Sequence, residues 1–128
     1  MIVAGIGCRK GTTAAEIEAA IDAALEQAGH PRDALSRLAT SDGKGSEPGI
    51  VEAATARGVE LVLVKPAELE AAGPRTRSSS PRVKELFGVP SVAEAAALSA
   101  CGPKSTLVVP RIVVGPATCA IAAAEDGS

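Results

Sequence analysis

The sequence predicts an α/β fold, in which a single three-layer α/β/α domain is built around a mixed sheet of about five strands. In the first half of the chain, short apolar runs alternate with helical patterns, which is typical of parallel β-α-β units. Near the C-terminus, the turn signal Gly115–Pro116 separates two further apolar runs and indicates an antiparallel hairpin. Residues 1–128 show no internal repeat and no boundary for a second domain, so we expect one domain.

The first strand and the first helix are the most clearly marked elements. Ile2–Ile6 is a short apolar run of the strand type, and in Ala14–Ala28 the apolar residues recur at helical spacing. Thr13 and Glu16 form a capping-box pair at the start of this helix, and Gly29 ends it. These signals predict the first β-α unit.

A second strand and helix follow, and a third strand comes after them. Leu35–Thr40 predicts a strand, and Ser46–Arg57 predicts a helix with a proline in its first turn and Gly58 just beyond its end. Val59–Val64 is almost continuously apolar and β-branched. Such a run predicts a strand that is covered on both faces.

The middle of the chain combines two helices with a polar, basic loop. A short helix is predicted over Pro66–Ala72, and the loop covers Gly73–Pro81. Ser91 and Glu94 make a second capping box, which opens a helix over Val92–Ala100.

The last two strands form the predicted hairpin. Thr106–Val114 carries strand signals but contains Pro110, which suits an edge strand or a bulge rather than the centre of a sheet. Ala117–Ala123 is predicted to return as the other arm.

Composition and charge exclude several classes of partner. Apolar residues make up 46% of the chain but aromatic residues only 1%, so the core must be aliphatic and a deep aromatic-lined pocket is not expected. The net charge of -2 gives no global attraction to nucleic acid or to an anionic membrane, and neither is expected as a partner. Any binding of anions must therefore come from local clusters of cations.

The cysteine pattern predicts a reducing, cytoplasmic environment without a metal or a cofactor. Cys8, Cys101 and Cys119 have neither paired metal-ligand spacing nor the pattern of a disulfide framework. Cys101 and Cys119 are expected to be small buried residues, whereas Cys8 adjoins two cations that could lower its pKa. His30 lies past the far end of the first helix, so a Cys-His nucleophile is not expected. The N-terminal apolar stretch is too short for a signal peptide or a membrane span.

The loop after the first strand is the strongest candidate for an anion site. Gly7 and Gly11 can let backbone N–H groups converge on a ligand at the positive end of the following helix. Arg9 could bind a carboxylate in a bidentate fork, Lys10 could act as a point charge, and Thr12 or Thr13 could contribute a hydroxyl. The alternative is a tight turn with solvated cations. The residues leave both phosphate and carboxylate open as the anion.

A second candidate loop, Ala39–Glu47, also follows a strand and precedes a helix. In a parallel sheet such loops gather at the carboxyl edge of the strands, where ligands of open α/β folds bind. Asp42 and Glu47 could act as acid or base, and Lys44 could bind anions or shift a neighbouring pKa. The alternative is an Asx turn with helix-capping charges.

Two further segments have a functional and a structural interpretation. The basic loop Arg75–Arg82 could fold over a polyanionic ligand as a lid, or it could be a solvated linker. Ser91 and Glu94 are expected to serve mainly as a helix cap, with a catalytic Glu94 as the minor alternative.

Four segments occur in an order that resembles a known family. They are Gly5–Thr12, Ala39–Gly49, Ser91–Leu98 and Ala117–Ala122. Together they are similar to the CobE family and to the C-terminal domain of CbiG, from vitamin B12 biosynthesis, over nearly the whole chain. That family often has a lysine near the position of Arg111, and arginine keeps the charge.

The resemblance implies a role in corrin biosynthesis. CbiG is associated with opening a δ-lactone on a cobalt-precorrin with loss of acetaldehyde, but the resemblance does not transfer this activity because the other part of CbiG is missing. We expect a carrier or accessory factor that binds a precorrin-type tetrapyrrole, whose carboxylate arms meet local cations and whose faces lie on aliphatic surface. The expected cations are Arg9, Lys10, Lys44, Arg75 and Arg77.

Two other functions stay open at this point. One is a hydrolase that acts on a precorrin lactone or acyl group and uses Asp42, Glu47 or Glu94 to activate water. The other is a module that docks to another corrin-pathway enzyme. The ligand-binding residues that the resemblance implies are Gly7, Cys8, Arg9, Lys10, Gly11, Thr12, Thr40, Asp42, Lys44, Glu47, Arg77, Ser80, Ser91 and Glu94.

Overall fold

The computed structural model describes residues 1–44, 47–76 and 91–124. Two expected site residues, Arg77 and Ser80, lie outside the described residues, and only the backbone is described at Lys44. The strands are β1 (Ile2–Cys8), β2 (Arg37–Ser41), β3 (Glu60–Val64), β4 (Thr106–Val114) and β5 (Ala117–Ala123).

These strands form one mixed sheet in the order β3-β2-β1-β5-β4. Strands β1, β2 and β3 run parallel, while β5 is antiparallel to both of its neighbours, β1 and β4. The predicted five-stranded mixed sheet and its C-terminal hairpin are therefore confirmed. Strand β1 occupies the centre of the sheet, so the loop that follows β1 leaves from the middle of the carboxyl edge.

The helices cover the sheet on both faces, which confirms the three layers. Their bounds are α1 (Ala14–Ala28), α2 (Pro48–Arg57), α3 (Pro66–Ala72) and α4 (Val92–Cys101). Helices α1 and α2 pack on one face, where Ile6, Ile17 and Ile50 are fully buried. On the other face, α4 packs against β1, β2 and β5 through smaller residues, mainly alanines, and α3 packs against α4. The core is aliphatic on both sides, as the composition predicts.

Helix α1 begins and ends as its sequence predicts. The Thr13 hydroxyl accepts a hydrogen bond from the Glu16 N–H at 3.2 Å, and a Glu16 carboxylate oxygen accepts one from the Thr13 N–H at 3.0 Å. At the other end, Gly29 has a φ of 75°, and the N–H groups of Gly29 and His30 bond back to carbonyls of the last turn.

Helix α4 begins differently from the prediction. The Ser91 hydroxyl accepts a hydrogen bond from the Glu94 N–H at 3.3 Å, so the serine caps the helix. The Glu94 carboxylate, however, reaches across to β4 and accepts a hydrogen bond from the Arg111 N–H at 2.7 Å. The predicted capping role of the Glu94 side chain is therefore replaced by a tie between the helix and the sheet.

The two edge strands give one corrected and one confirmed prediction. Strand β3 was predicted to be covered on both faces, but it is an edge strand in which the side chain of Leu63 is 42% exposed. Strand β4 forms the other edge, and its pairing with β5 shifts register between Val109 and Ile112, on either side of Pro110. Proline has no N–H to give to a ladder, so the irregularity falls where the sequence predicts it.

Helix α4 lies unusually close to the centre of the sheet. A Cβ atom added at Gly5 would lie 1.9 Å from the carbonyl oxygen of Ala93, so only glycine fits at that position of β1. The close approach brings the amino end of α4 beside the carboxyl end of β1. This contact shapes the site described below.

The two cysteines that were expected to be structural are buried. Burial raises the pKa of the Cys119 thiol to about 12, and burial also raises the pKa of Cys101. Within the described ranges, no group of histidine, cysteine and acidic side chains could hold a metal ion. Every helix in those ranges is too short or too polar to span a bilayer.

Candidate functional site

The carboxyl edge of the sheet collects parts of all four segments that carry the family resemblance. Strands β1 and β2 end there side by side, followed by their loops. Strand β5 runs antiparallel to β1 with Ala117 opposite Cys8, so the turn of the β4–β5 hairpin lies at the same edge. The amino end of α4 joins them because its first turn borders the same pocket as Gly7.

The loop between β1 and α1 is folded back on itself. The Arg9 N–H donates to the Pro116 carbonyl at 3.1 Å, and the Thr12 N–H donates to the Arg9 carbonyl at 3.2 Å. The Gly11 N–H donates to a carboxylate oxygen of Glu47 at 3.4 Å. Protein acceptors therefore already occupy the N–H groups of Arg9, Gly11 and Thr12, in the loop whose N–H groups the sequence analysis expects to converge on a ligand.

Other residues of this loop also serve its own structure. Thr12 is buried, and its hydroxyl donates to the Arg9 carbonyl at 2.6 Å. Gly11 has a φ of 83°, which explains a glycine at the turn, whereas Gly7 lies within β1 and leaves room for the Thr118 hydroxyl. The side chains of its two cations, Arg9 and Lys10, are exposed and remain available to a ligand.

The second loop ties the parallel strands together. Thr40 is fully buried, and its hydroxyl donates to the Ile6 carbonyl at 2.8 Å, so it joins β2 to β1. Ser41 is buried, and its hydroxyl has no hydrogen-bond partner among the residues that the structure describes. Asp42 is exposed at the start of a short turn. Through its bond to Gly11, Glu47 brings the second loop against the first, as their shared edge predicts.

A pocket of about 240 Å³ opens between the end of β1, the start of α4 and the β4–β5 hairpin. Its walls are mainly apolar, and two arginines contribute to them. The described residues that line it are Gly7, Cys8, Arg9, Ser91, Val92, Ala93, Arg111, Val113, Gly115, Pro116 and Thr118.

Only part of the expected site lines this pocket. Of the predicted ligand-binding residues whose side chains the structure describes, four are in its walls, namely Gly7, Cys8, Arg9 and Ser91. The described residues that lie at the same edge or in the neighbouring layers without lining it are Lys10, Gly11, Thr12, Thr40, Asp42, Glu47 and Glu94.

Among the described wall residues, Arg111 is the charged one that sequence reasoning did not assign to a site. It follows Pro110 in the irregular part of β4, and it is the only charged residue in the apolar run Thr106–Val114. A lone cation beside a bulge-forming proline is the signal that could have identified it. Its distance along the chain from the first loop hides the fact that it shares a pocket with Arg9.

Arg75 does not join this edge, contrary to expectation. Its guanidinium donates to the Gly102 carbonyl at 3.3 Å and to the Ser105 hydroxyl at 3.0 Å. Both acceptors lie beyond the carboxyl end of α4, whereas the pocket lies at the amino end of that helix. Arg75 therefore closes the end of a helix and is not a cation of the pocket.

Ion pairs elsewhere in the described chain leave the cations of this edge uncompensated. Arg57 lies 3.4 Å from a carboxylate oxygen of Glu18, and Arg32 lies 3.1 Å from one of Asp22, both at helix α1. In the ranges 1–44, 47–76 and 91–124, no such pair involves the arginines of the pocket or Lys10. Among the described side chains, Arg9, Lys10 and Arg111 thus present positive charge outside ion pairs, beside an apolar wall.

Comparison with known proteins identifies the family. The family model described as "Cobalamin synthesis G C-terminus" matches residues 2–122. The protein CobE of Sinorhizobium sp is 36% identical over 121 residues, which cover 94% of this chain and 79% of CobE. A crystal structure of CobE, described as a protein from the cobalamin (vitamin B12) biosynthetic pathway, superposes with a TM-score of 0.90 at 34% identity, covering 95% of this chain and 89% of that one.

A longer relative matches over part of its length. The cobalt-precorrin-5A hydrolase of Priestia megaterium is 33% identical over 98 residues, which cover 77% of this chain but only 26% of the hydrolase. The resemblance found in the four sequence segments is thereby confirmed. This chain belongs to the family that comprises CobE and the C-terminal domain of CbiG, and it is a protein of cobalamin biosynthesis.

Proposed function

We propose that this chain binds a precorrin-type tetrapyrrole at the carboxyl edge of its sheet and acts as a carrier or accessory factor for that intermediate. The observation that carries the proposal is the pocket with mainly apolar walls that Arg9 and Arg111 line together. A precorrin combines an apolar macrocycle with many carboxylate arms. Guanidinium groups match carboxylates in charge and in geometry, so this pocket suits one such arm.

The size of the pocket sets how the ligand would lie. At about 240 Å³ it is smaller than the roughly 300–1,000 Å³ of sites that enclose a drug-sized molecule. It therefore suits an arm, with the macrocycle across its mouth. Val113, in the pocket wall, has 65% of its surface exposed and offers aliphatic area beside that mouth. An aliphatic surface is sufficient to cover an apolar macrocycle face.

The geometry favours binding over hydrolysis. A hydrolase would need a base that can activate water next to the bound group. Asp42 and Glu47 do not line the pocket, and the Glu47 carboxylate accepts the Gly11 N–H. Glu94 is fully buried beneath the wall. The hydrolase among the relatives extends far beyond the part that this chain matches, so its activity supports only the choice of ligand class.

The function is tested by titrating the purified protein with a panel of precorrin intermediates. The visible spectrum of the ligand reports binding, and mass spectrometry of the recovered ligand reports turnover. Binding without a change in mass is the expected result. A change in mass would establish an enzyme instead, and no binding together with co-purification of a pathway enzyme would establish a docking module.

The cations of the first loop provide the matching variants. We expect Arg9→Ala combined with Lys10→Ala to weaken ligand binding about tenfold or more, since charge-assisted hydrogen bonds contribute ~1.5–3 kcal/mol. Arg9→Ala alone should account for most of the loss, because Lys10 does not line the pocket. Lys104→Ala is the matched control, since that exposed cation lies beyond the opposite end of α4. Unchanged affinity in the folded double variant would place the ligand elsewhere.

A further inference from the structure

Glu94 is the one acidic side chain that is fully buried in the described chain, with an exposure of 0%. A carboxylate in such a position is retained only where hydrogen bonds or charges satisfy it. One of its oxygens accepts a hydrogen bond from the Arg111 N–H at 2.7 Å, which is the short distance typical of a charge-assisted bond. The acceptor comes from the first turn of α4, and the donor comes from β4.

The Arg111 N–H depends on this partner because of the irregularity in β4. The regular pairing with β5 stops at Val109 and resumes at Ile112, and Pro110 has no N–H to offer. Arg111 therefore lies in a stretch where the ladder does not hold the backbone. The Glu94 carboxylate replaces the missing ladder bond at this point.

The same stretch forms part of the pocket wall. Arg111 and Val113 line the pocket from the side of β4, and Arg9 lines it from the end of β1. Val92 and Ala93, in the first turn of α4, complete the wall between them. Glu94 thus connects the two elements that face each other across the pocket, although it is not itself in the wall.

We propose that Glu94 is a positioning residue for a subsite that accepts a free carboxylate arm of the ligand. By binding the Arg111 N–H, it fixes the segment of β4 from which the Arg111 guanidinium extends, so that Arg111 and Arg9 act on the same arm. This inference rests on the proposed function and goes beyond it. It names the chemical form of the arm, a free carboxylate, and the residue that keeps the arginine in place to bind it.

The preference for a carboxylate arm follows from the hydrogen-bond donors of arginine. A guanidinium carries five N–H donors in a plane and no acceptor, so it pairs with both oxygens of a carboxylate. A carboxamide has one acceptor oxygen, no charge and two donors of its own, which would face further donors in this pocket. The positive end of the α4 dipole adds to the preference for an anion. The subsite therefore binds an acid arm and rejects its amide.

The test uses a matched pair of corrinoids with the full chain. Dicyanocobyrinic acid carries its side arms as free carboxylic acids, and dicyanocobinamide carries them as carboxamides. Isothermal titration of the wild-type protein should give an affinity for the acid at least tenfold higher than for the amide, the difference expected for a charge-assisted contact. Equal affinity for the two would overturn the subsite while leaving tetrapyrrole binding intact. If neither corrinoid binds while the protein binds a precorrin of the panel, the subsite is overturned alone; if the protein binds none of them, the proposed function itself fails.

The role of Glu94 is tested by a double-mutant cycle with Arg111. We expect Arg111→Ala to weaken binding of the acid about tenfold and Glu94→Ala about fivefold. In the Arg111→Ala background, Glu94→Ala should change the affinity by less than about twofold, because Glu94 acts through Arg111. An equal loss in both backgrounds would show a general structural effect and would overturn the positioning role.

Two further variants keep the test decisive if Glu94→Ala does not fold. Glu94→Met fills the same space without an acceptor, and Glu94→Gln keeps an oxygen that can accept the Arg111 N–H. We expect Glu94→Gln to recover most of the affinity that Glu94→Met loses for the acid. Binding of the amide should not distinguish the two. A Glu94→Met variant that binds the acid as tightly as Glu94→Gln would contradict the proposal.

Discussion

Helices α1 and α4 both begin at the carboxyl edge of the sheet, but only the first turn of α4 borders the pocket. At α1, the Thr13 and Glu16 side chains close the helix start, and Glu47 occupies the N–H of Gly11 just before it. At α4, the carboxylate that could have closed the helix start instead bonds to β4. The acidic residue is in the same position of both helices, three residues after the cap, yet its partner differs.

This difference shows that a conspicuous loop is not by itself a binding cradle. The loop before α1 combines glycines, cations and threonines, but its N–H groups are used within the protein. The first turn of α4 carries one acidic residue and no cation, and its apolar residues Val92 and Ala93 nevertheless wall the pocket. The N–H groups of a helix start, or of the loop before it, are open to a ligand only where no protein acceptor has already satisfied them.

The largest effect is expected from separating α4 from the sheet. Gly5→Ala would place a Cβ 1.9 Å from the Ala93 carbonyl oxygen, and backbone cannot move aside as a side chain can. We expect the free energy of unfolding to fall by about 3 kcal/mol, at the upper end of the cost of forced packing. Urea denaturation followed by far-UV circular dichroism measures it.

Gly43→Ala is the matched control for that change. No atom lies within 4 Å of a Cβ added at Gly43, and its φ is not positive. Its free energy of unfolding should therefore stay within about 0.5 kcal/mol of the wild type. Equal destabilisation by the two changes would mean that α4 does not rest on Gly5 as described.

Removing either of the two helix caps is expected to have an effect of intermediate size, and the two changes can be compared directly. Thr13→Ala and Ser91→Ala each remove a hydroxyl that accepts an N–H at the helix start, and each should cost about 1 kcal/mol of stability. Only Ser91→Ala should also weaken binding of dicyanocobyrinic acid, by about threefold, because Ser91 lines the pocket. Thermal unfolding and isothermal titration separate the two effects. A loss of affinity in Thr13→Ala would show that the loop before α1 also takes part in ligand binding.

The features that the sequence predicts correctly are those set by interactions between residues close together in the chain. The start of α1 was predicted from Thr13 and Glu16 because those residues bond to each other across three positions. The irregularity of β4 was predicted because Pro110 lacks an N–H wherever it is placed. Both are local properties, so the sequence contains them directly.

The failures come from contacts between distant segments. The exposure of β3 depends on which strand lies beside it, and an apolar run does not contain that information. The way α4 packs on β1 determines two contacts that the sequence does not show. One is the hydrogen bond between Glu94 and Arg111, and the other is the pocket that Arg9 and Arg111 share. The sequence predicts that the first two loops share an edge, because parallel strands impose this. It does not predict that N–H groups of the first loop bond to other parts of the protein.

The smallest expected effect is a gain in affinity. The Glu47 carboxylate lies against the N–H of Gly11, beside the two cations of the first loop, and its charge opposes an anionic ligand at the same edge. Glu47→Gln keeps an oxygen that can accept the Gly11 N–H but removes the charge, so the loop should keep its fold. We expect dicyanocobyrinic acid to bind about twofold more tightly at low salt, with the gain fading as salt is added.

Glu60→Gln serves as the control for Glu47→Gln because Glu60 is an exposed acid at the opposite, amino end of β3. It changes the net charge by the same amount without changing the field at the pocket, so its effect on affinity should be close to zero. A twofold gain in both variants would reflect the net charge of the protein rather than a local field. A loss of affinity in Glu47→Gln alone would mean that the Glu47 charge helps to arrange the cations of the first loop, which would make the α1 junction a working part of the site after all.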